Sequence, residues 1–141
     1  MLGVRKYTRG YLNSCRSRVE ADVSAFNQVA RRNGAIDNAG PDDAMEAFEA
    51  TFFNDMVLVL DHLFVHRLRT VEGKDGNALN EVRVLADSLM ENNGVMKTDK
   101  SIKLSTESVL NYRPGDEIRL REAEFLQLSE AFFSEIEARY L

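Results

Sequence analysis

Two histidines and an aspartate have the residue types and spacing most suited to chemistry. His62 and His66 are four residues apart, and Asp55 precedes His62 by seven. On one continuous helix, at about 100° per residue, the three fall within about 40° of a single stripe. Two imidazoles one turn apart can share a divalent metal, and helical bundles build such sites from inward carboxylates and histidines. The carboxylate would come from Asp55, two turns away, or from the last helix. The chain lacks the Glu-x-x-His pairs of di-iron bundles, and these two histidines are its whole supply. The simpler reading makes each a hydrogen-bonded side chain, with His66 near a helix end whose dipole favours the protonated ring.

A second constellation follows directly. Arg67, Arg69 and Lys74 flank the glycine-containing turn Glu72-Gly73-Lys74-Asp75-Gly76-Asn77. Free N–H groups at a helix start, with glycine allowing close approach, can hold an anion. Against this, the Walker spacing is absent, no strand precedes the turn, and Glu72 and Asp75 repel an anion. A solvated helix–helix turn is the simpler reading. Cys15 lies between Tyr11 and Val19 on an apolar face, the setting of a packed, inert thiol. A Cys15 pairing with His62 or His66 cannot be placed from the sequence. No G-x-S-x-G elbow occurs. No catalytic residue is therefore assigned, and no cofactor other than a divalent metal at the histidines is implied.

The elements that must position these residues read as helices. Tyr7, Tyr11, Cys15, Val19, Val23, Phe26 and Ala30 recur at helical spacing and predict a helix over about 6–32. Residues 34–41 read as a linker, and Pro41-Asp42-Asp43 as the next helix start. That second helix is expected to run from about Asp42 to Thr70. It is apolar on nearly every side, from Phe48, Phe52 and Phe53 to Phe64 and Leu68, so it is expected to be the central helix or to close a dimer with one face. Its phenylalanines could line an apolar pocket, with core packing the plainer role. Asn77 is placed to cap a third helix over 78–92, carrying a stripe of Leu79, Val82, Ala86 and Leu89. Alternation at Ile102/Leu104 and Ile118/Leu120, around the turn Arg113-Pro114-Gly115-Asp116, predicts strands at 101–104 and 117–120. A single helical turn is expected over 106–111. A last helix over 122–140 places Phe125, Leu128, Phe132, Ile136 and Tyr140 on one face. The expected fold is mainly α: a four-helix bundle-like single domain over residues 1–141, with a small β-hairpin before the last helix.

Charge and composition narrow the classes. The net charge is −5, yet residues 1–32 carry +5 and the remainder −10. A basic first helix beside the acidic last one accounts for this asymmetry. An acidic whole without clustered aromatics on the basic face argues against a nucleic-acid partner. One cysteine permits no internal disulfide, and the longest apolar run, Met56–Leu60, is far below the roughly 20 residues of a membrane span. The N-terminal MLGVRKYTRGYLNSCRSR has no apolar signal region. These features predict a cytoplasmic protein with no membrane partner.

As one block, FFNDMVLVLDHLFVHRLRTVEGKDGNALNEVRVL resembles a segment of small uncharacterised actinobacterial proteins, and the likeness extends to RPGDEIRL. The resemblance implies a bacterial cytoplasmic setting and supplies no activity, cofactor or functional residue. The surplus apolar face of the second helix leads to the functional expectation: a non-enzymatic homodimeric interaction or scaffold protein. The alternative is a metal- or small-ligand-binding helical bundle using His62 and His66.

Overall fold

A computed structural model describes residues 3–37, 43–99, 102, 104 and 108–141. Four helices make up most of it: α1 (Arg9–Asp37), α2 (Asp43–Leu63), α3 (Ala78–Glu91) and α4 (Glu122–Tyr140). A 3-10 turn at Arg69–Val71 lies between α2 and α3. No helix among the described residues is long and apolar enough to cross a membrane.

The central helix is α3, not α2. Nine consecutive residues, Ala78 to Ala86, are buried, so every side of that helix is covered. It packs against both α2 and α4, while α1 lies across α2 and α4. The apolar run of α2 is only partly enclosed: Phe53, Met56, Val57, Leu60 and the following Phe64 are buried, and Phe48 and Val65 are exposed. The Leu128, Phe132, Ile136 and Tyr140 face of α4 is fully buried against them, as expected from its spacing. The basic α1 also lies beside the acidic α4. Arg9 and Arg16 both reach Glu137, at 3.1 and 3.2 Å, and Arg16 sits over the Phe133 ring.

Helix α2 ends at Leu63, seven residues short of the expected Thr70, where one distant and one nearby side chain take the carbonyls at its end. The Tyr11 hydroxyl donates to Leu63 O, and Arg67 Nη1 donates to Phe64 O at 3.2 Å. The chain then bends, and 66–68 pairs with Val4: Val4 N donates to His66 O and Leu68 N to Val4 O. Gly3 lies against this pairing. A Cβ there would come within 2.8 Å of the Leu68 backbone, so the chain's close approach needs glycine. The longest helix is consequently α1, at 29 residues.

No β-hairpin is formed among the described residues. Among the described residues there are only two isolated bridges, Val4 with Arg67 and Val95 with Glu117. The burial alternation at the second predicted strand is real: Ile118 and Leu120 are buried and Arg119 is exposed. What replaces the missing strand partner is largely a side chain. Asn54 of α2 donates Nδ2 to Ile118 O and accepts Leu120 N on Oδ1, while the Tyr112 hydroxyl accepts Arg119 N. Among the described residues, the backbone pairing nearby joins 94–96 to 115–118, as in Met96 N to Asp116 O and Ile118 N to Gly94 O. The turn at 113–116 is formed, with Asp116 N bonded to Arg113 O. The expected linker is helical over 34–37. Its remainder and the Pro41-Asp42 start lie outside the described residues, as do residues 101 and 103 of the first predicted strand and the beginning of 106–111.

Candidate functional site

The structure does not assemble the predicted metal ligands into one site. His62 is exposed on the last turn of α2, His66 is exposed beyond its end, and Asp55 is exposed two turns earlier. With the helix ending at Leu63, the four-residue spacing of the histidines is no longer a helical one. Among the described residues, no group of three or more His, Cys, Asp or Glu side chains is placed to hold a metal.

The predicted anion site is likewise dispersed. Arg67 is buried, 4% exposed, whereas Arg69 and Lys74 face solvent. The α3 N-terminus is already satisfied by its own cap, since Asn77 Oδ1 accepts Leu79 N and Asn80 N. Asp75 Oδ1 in turn accepts Asn77 N and Nδ2. An anion would find a carboxylate there and the Leu79 and Asn80 amides already taken. Cys15 is buried, and burial raises its thiol pKa, as expected for an inert packed cysteine.

Instead, the buried chemistry is a charge cluster joining four parts of the chain. Glu72, 1% exposed, lies at its centre. Its Oε2 accepts Arg67 Nε at 2.6 Å and the Tyr140 hydroxyl at 2.7 Å, and its Oε1 lies 3.1 Å from Arg83 Nη2. Arg67 Nη2 also donates to Leu79 O, and Arg83 Nη1 to Asn80 Oδ1. At the outer edge Asp61 lies 3.8 Å from Arg67. Burial raises the Asp61 carboxyl pKa against the opposing pull of Arg67 and Arg83, and lowers that of the Arg83 guanidinium. Two carboxylates balance two guanidiniums, and each has an ion-pair partner, while the buried Glu72 Oε1 meets Arg83 without a hydrogen bond. The cluster braces the end of α2, the 3-10 turn, α3 and the end of α4.

The opposite polar face of α3 has a different task. Glu81, 2% exposed, accepts Val109 N at 2.7 Å and Leu110 N at 2.9 Å. Burial raises its pKa, and the two backbone donors pull it back down. Two turns on, the buried Ser88 Oγ accepts Lys97 N at 3.0 Å and donates to Val84 O. Glu81 and Ser88 thus pin both ends of the segment after α3. Glu81→Ala is expected to cost about 1–3 kcal/mol by leaving two amides without an acceptor. Hydrogen exchange at Val109 and Leu110 should rise well above that at Leu79 or Val82; uniform exchange across all four would contradict the clamp.

Between these pins, over Val84, lies a cleft of about 880 Å3 with Met96, Ile102 and Leu104 on its apolar side and Lys97, Asp99, Tyr112 and Arg113 on its polar side. A smaller cleft of about 450 Å3 lies between the α3 cap and α4, beside Ser134, Glu135 and Arg139. There Arg139 is paired with Glu135 at 2.5 Å.

Sequence reasoning missed the buried polar residues Asn80, Glu81, Arg83 and Ser88. Their signal was the placement of Val84 and Leu85, which lie off the Leu79/Val82/Ala86 stripe. Apolar residues on more than one side of a short helix mean that its polar positions are enclosed as well.

No protein-family model, curated protein or solved structure matches this chain.

Proposed function

We propose that the protein is a non-enzymatic interaction module that acts as a homodimer through the outer face of the α1–α2 pair. The observation that carries this reading is an apolar stripe left open along two neighbouring helices. Val29 on α1 is 53% exposed and Phe48 on α2 is 43% exposed. Between and beside them Ala30, Met45, Phe52, Val59 and Leu63 are only partly covered. The two helices run antiparallel, since Phe26 stacks on Phe48 and Phe52 while Tyr11 reaches Leu63. Contiguous exposed apolar surface of this kind marks an association site.

A second copy is the partner that fits. Helix α2 carries Asp43, Glu46, Glu49, Asp55 and Asp61 with no lysine or arginine. Besides Arg9 and Arg16, which are held by Glu137 of α4, helix α1 carries Arg18, Arg31 and Arg32. A two-fold pairing that lays α1 of one protomer along α2 of the other sets unlike charges around an apolar seam. The single cysteine and the actinobacterial resemblance support a bacterial cytoplasmic setting for this assembly.

Sedimentation equilibrium on the purified chain is expected to give a dimer mass. The Val29→Glu/Phe48→Glu double variant should sediment as a monomer with an unchanged helical circular dichroism spectrum. A monomeric wild type at high micromolar concentration, or a dimeric double variant, would overturn the reading. The small-ligand form of the alternative finds its support in the cleft over Val84, away from His62 and His66.

A further inference from the structure

We propose that the cleft over α3 binds a small amphipathic monocarboxylate, with its apolar chain against Val84, Met96 and Ile102 and its head group at Arg113 and Lys97. The volume, about 880 Å3, is within the range of small-molecule sites and ample for a short acyl chain. Two features fasten the ends of the segment that borders the cleft. Glu81 fixes Val109 and Leu110 at one end, and Ser88 fixes Lys97 at the other. These side chains lie on the same face of α3 as Val84, at seven-residue spacing, so the apolar floor sits between its two fastenings. Fastening these ends before the ligand arrives lowers the ordering cost of binding.

The choice of ligand follows from the rim. The Arg113 side chain is exposed and has no ion pair among the described residues. Its planar guanidinium can take a carboxylate through two parallel hydrogen bonds. Lys97 is paired at 3.3 Å with Glu91, whose side chain is largely in solvent, and such a pair is easily exchanged for an incoming anion. Asp99 also lines the cleft. A monocarboxylate matches the planar fork of Arg113 and brings the single negative charge that one guanidinium balances. Met96 adapts its unbranched side chain to chains of different shape, so the selectivity rests on the head group.

Octanoate, 1-octanol and octyltrimethylammonium, each titrated below its aggregation concentration, separate these contributions by two-dimensional amide NMR. Octanoate is expected to bind about tenfold more tightly than the cation, since one charge-assisted contact is worth at least that ratio. Its shifts should centre on Val84, Met96 and Tyr112. Arg113→Glu, a change at an exposed position, should reverse the order of octanoate and the cation. The Val29→Glu/Phe48→Glu variant should bind octanoate as the wild type does. Equal affinities for the three probes, no binding of octanoate at millimolar concentration, or loss of binding in the Val29/Phe48 variant would each overturn the proposal.

Discussion

Glu72→Ala is expected to destabilise the fold by about 3–5 kcal/mol, the cost of leaving buried charge uncompensated. The substitution removes the one carboxylate that lies against both Arg67 and Arg83, each of which is enclosed. It also takes one of two acceptors from the Tyr140 hydroxyl, which keeps only Leu68 O. Domain stabilities are of the order of 5–15 kcal/mol, so the variant should be near the edge of folding. Urea titration followed by circular dichroism measures the loss directly. The combined Asp61→Asn/Arg67→Met/Glu72→Leu/Arg83→Met variant provides the contrast, because removing all four charges of the cluster together strands none. It should recover most of the stability lost by Glu72→Ala alone. A loss below about 1 kcal/mol in the single variant would mean that water reaches the cluster and screens it.

Phe64→Ala should have an effect of similar size for a different reason. Phe64 is fully buried just past the end of α2, with Tyr7 at 4.9 Å and Tyr11 at 5.4 Å presenting edge contacts, and Phe132 and Phe133 on its other side. Those neighbours come from the N-terminal segment, α1 and α4, and they cannot all collapse into the space a ring leaves. The expected cost is about 3–5 kcal/mol, the range for large aromatic truncations in a packed core. Phe48→Ala is the internal comparison. Its ring is 43% exposed in the monomer, so it should lose far less stability on dilution into the monomeric state. Equal losses at the two positions would show that Phe48 is covered more fully than the single chain indicates.

The parts of this fold that were legible in the sequence are those whose causes are local. The start of α3 is set by Asn77, whose side chain caps the two following amides, and the start of α4 by Glu124, which accepts Arg121 N. Both sit within three residues of what they control. The end of α2 has no such local cause. Nothing between Leu63 and Thr70 breaks a helix by composition; the chain turns because Tyr11 and Leu79, distant in sequence, engage Leu63 O and Arg67. The metal hypothesis depended on that missing stretch of helix, and the anion hypothesis on Arg67 facing outward. The strand prediction erred in a more instructive way. Alternation reports which side of an extended segment is buried, and Ile118 and Leu120 are indeed buried. It carries no information about what satisfies the backbone, which here is an asparagine amide from α2.

That asparagine has a consequence for the behaviour of the chain in concentrated solution. An extended stretch with alternate residues buried and an open row of amides and carbonyls invites a second extended chain to align with it, which is how sheets spread from molecule to molecule. Asn54 holds Ile118 O and Leu120 N, the pair through which such growth would begin, and the Tyr112 hydroxyl occupies Arg119 N between them. A polar side chain on a helix thus acts as a gatekeeper against fibrous self-association, keeping this short extended segment from becoming a template for further copies.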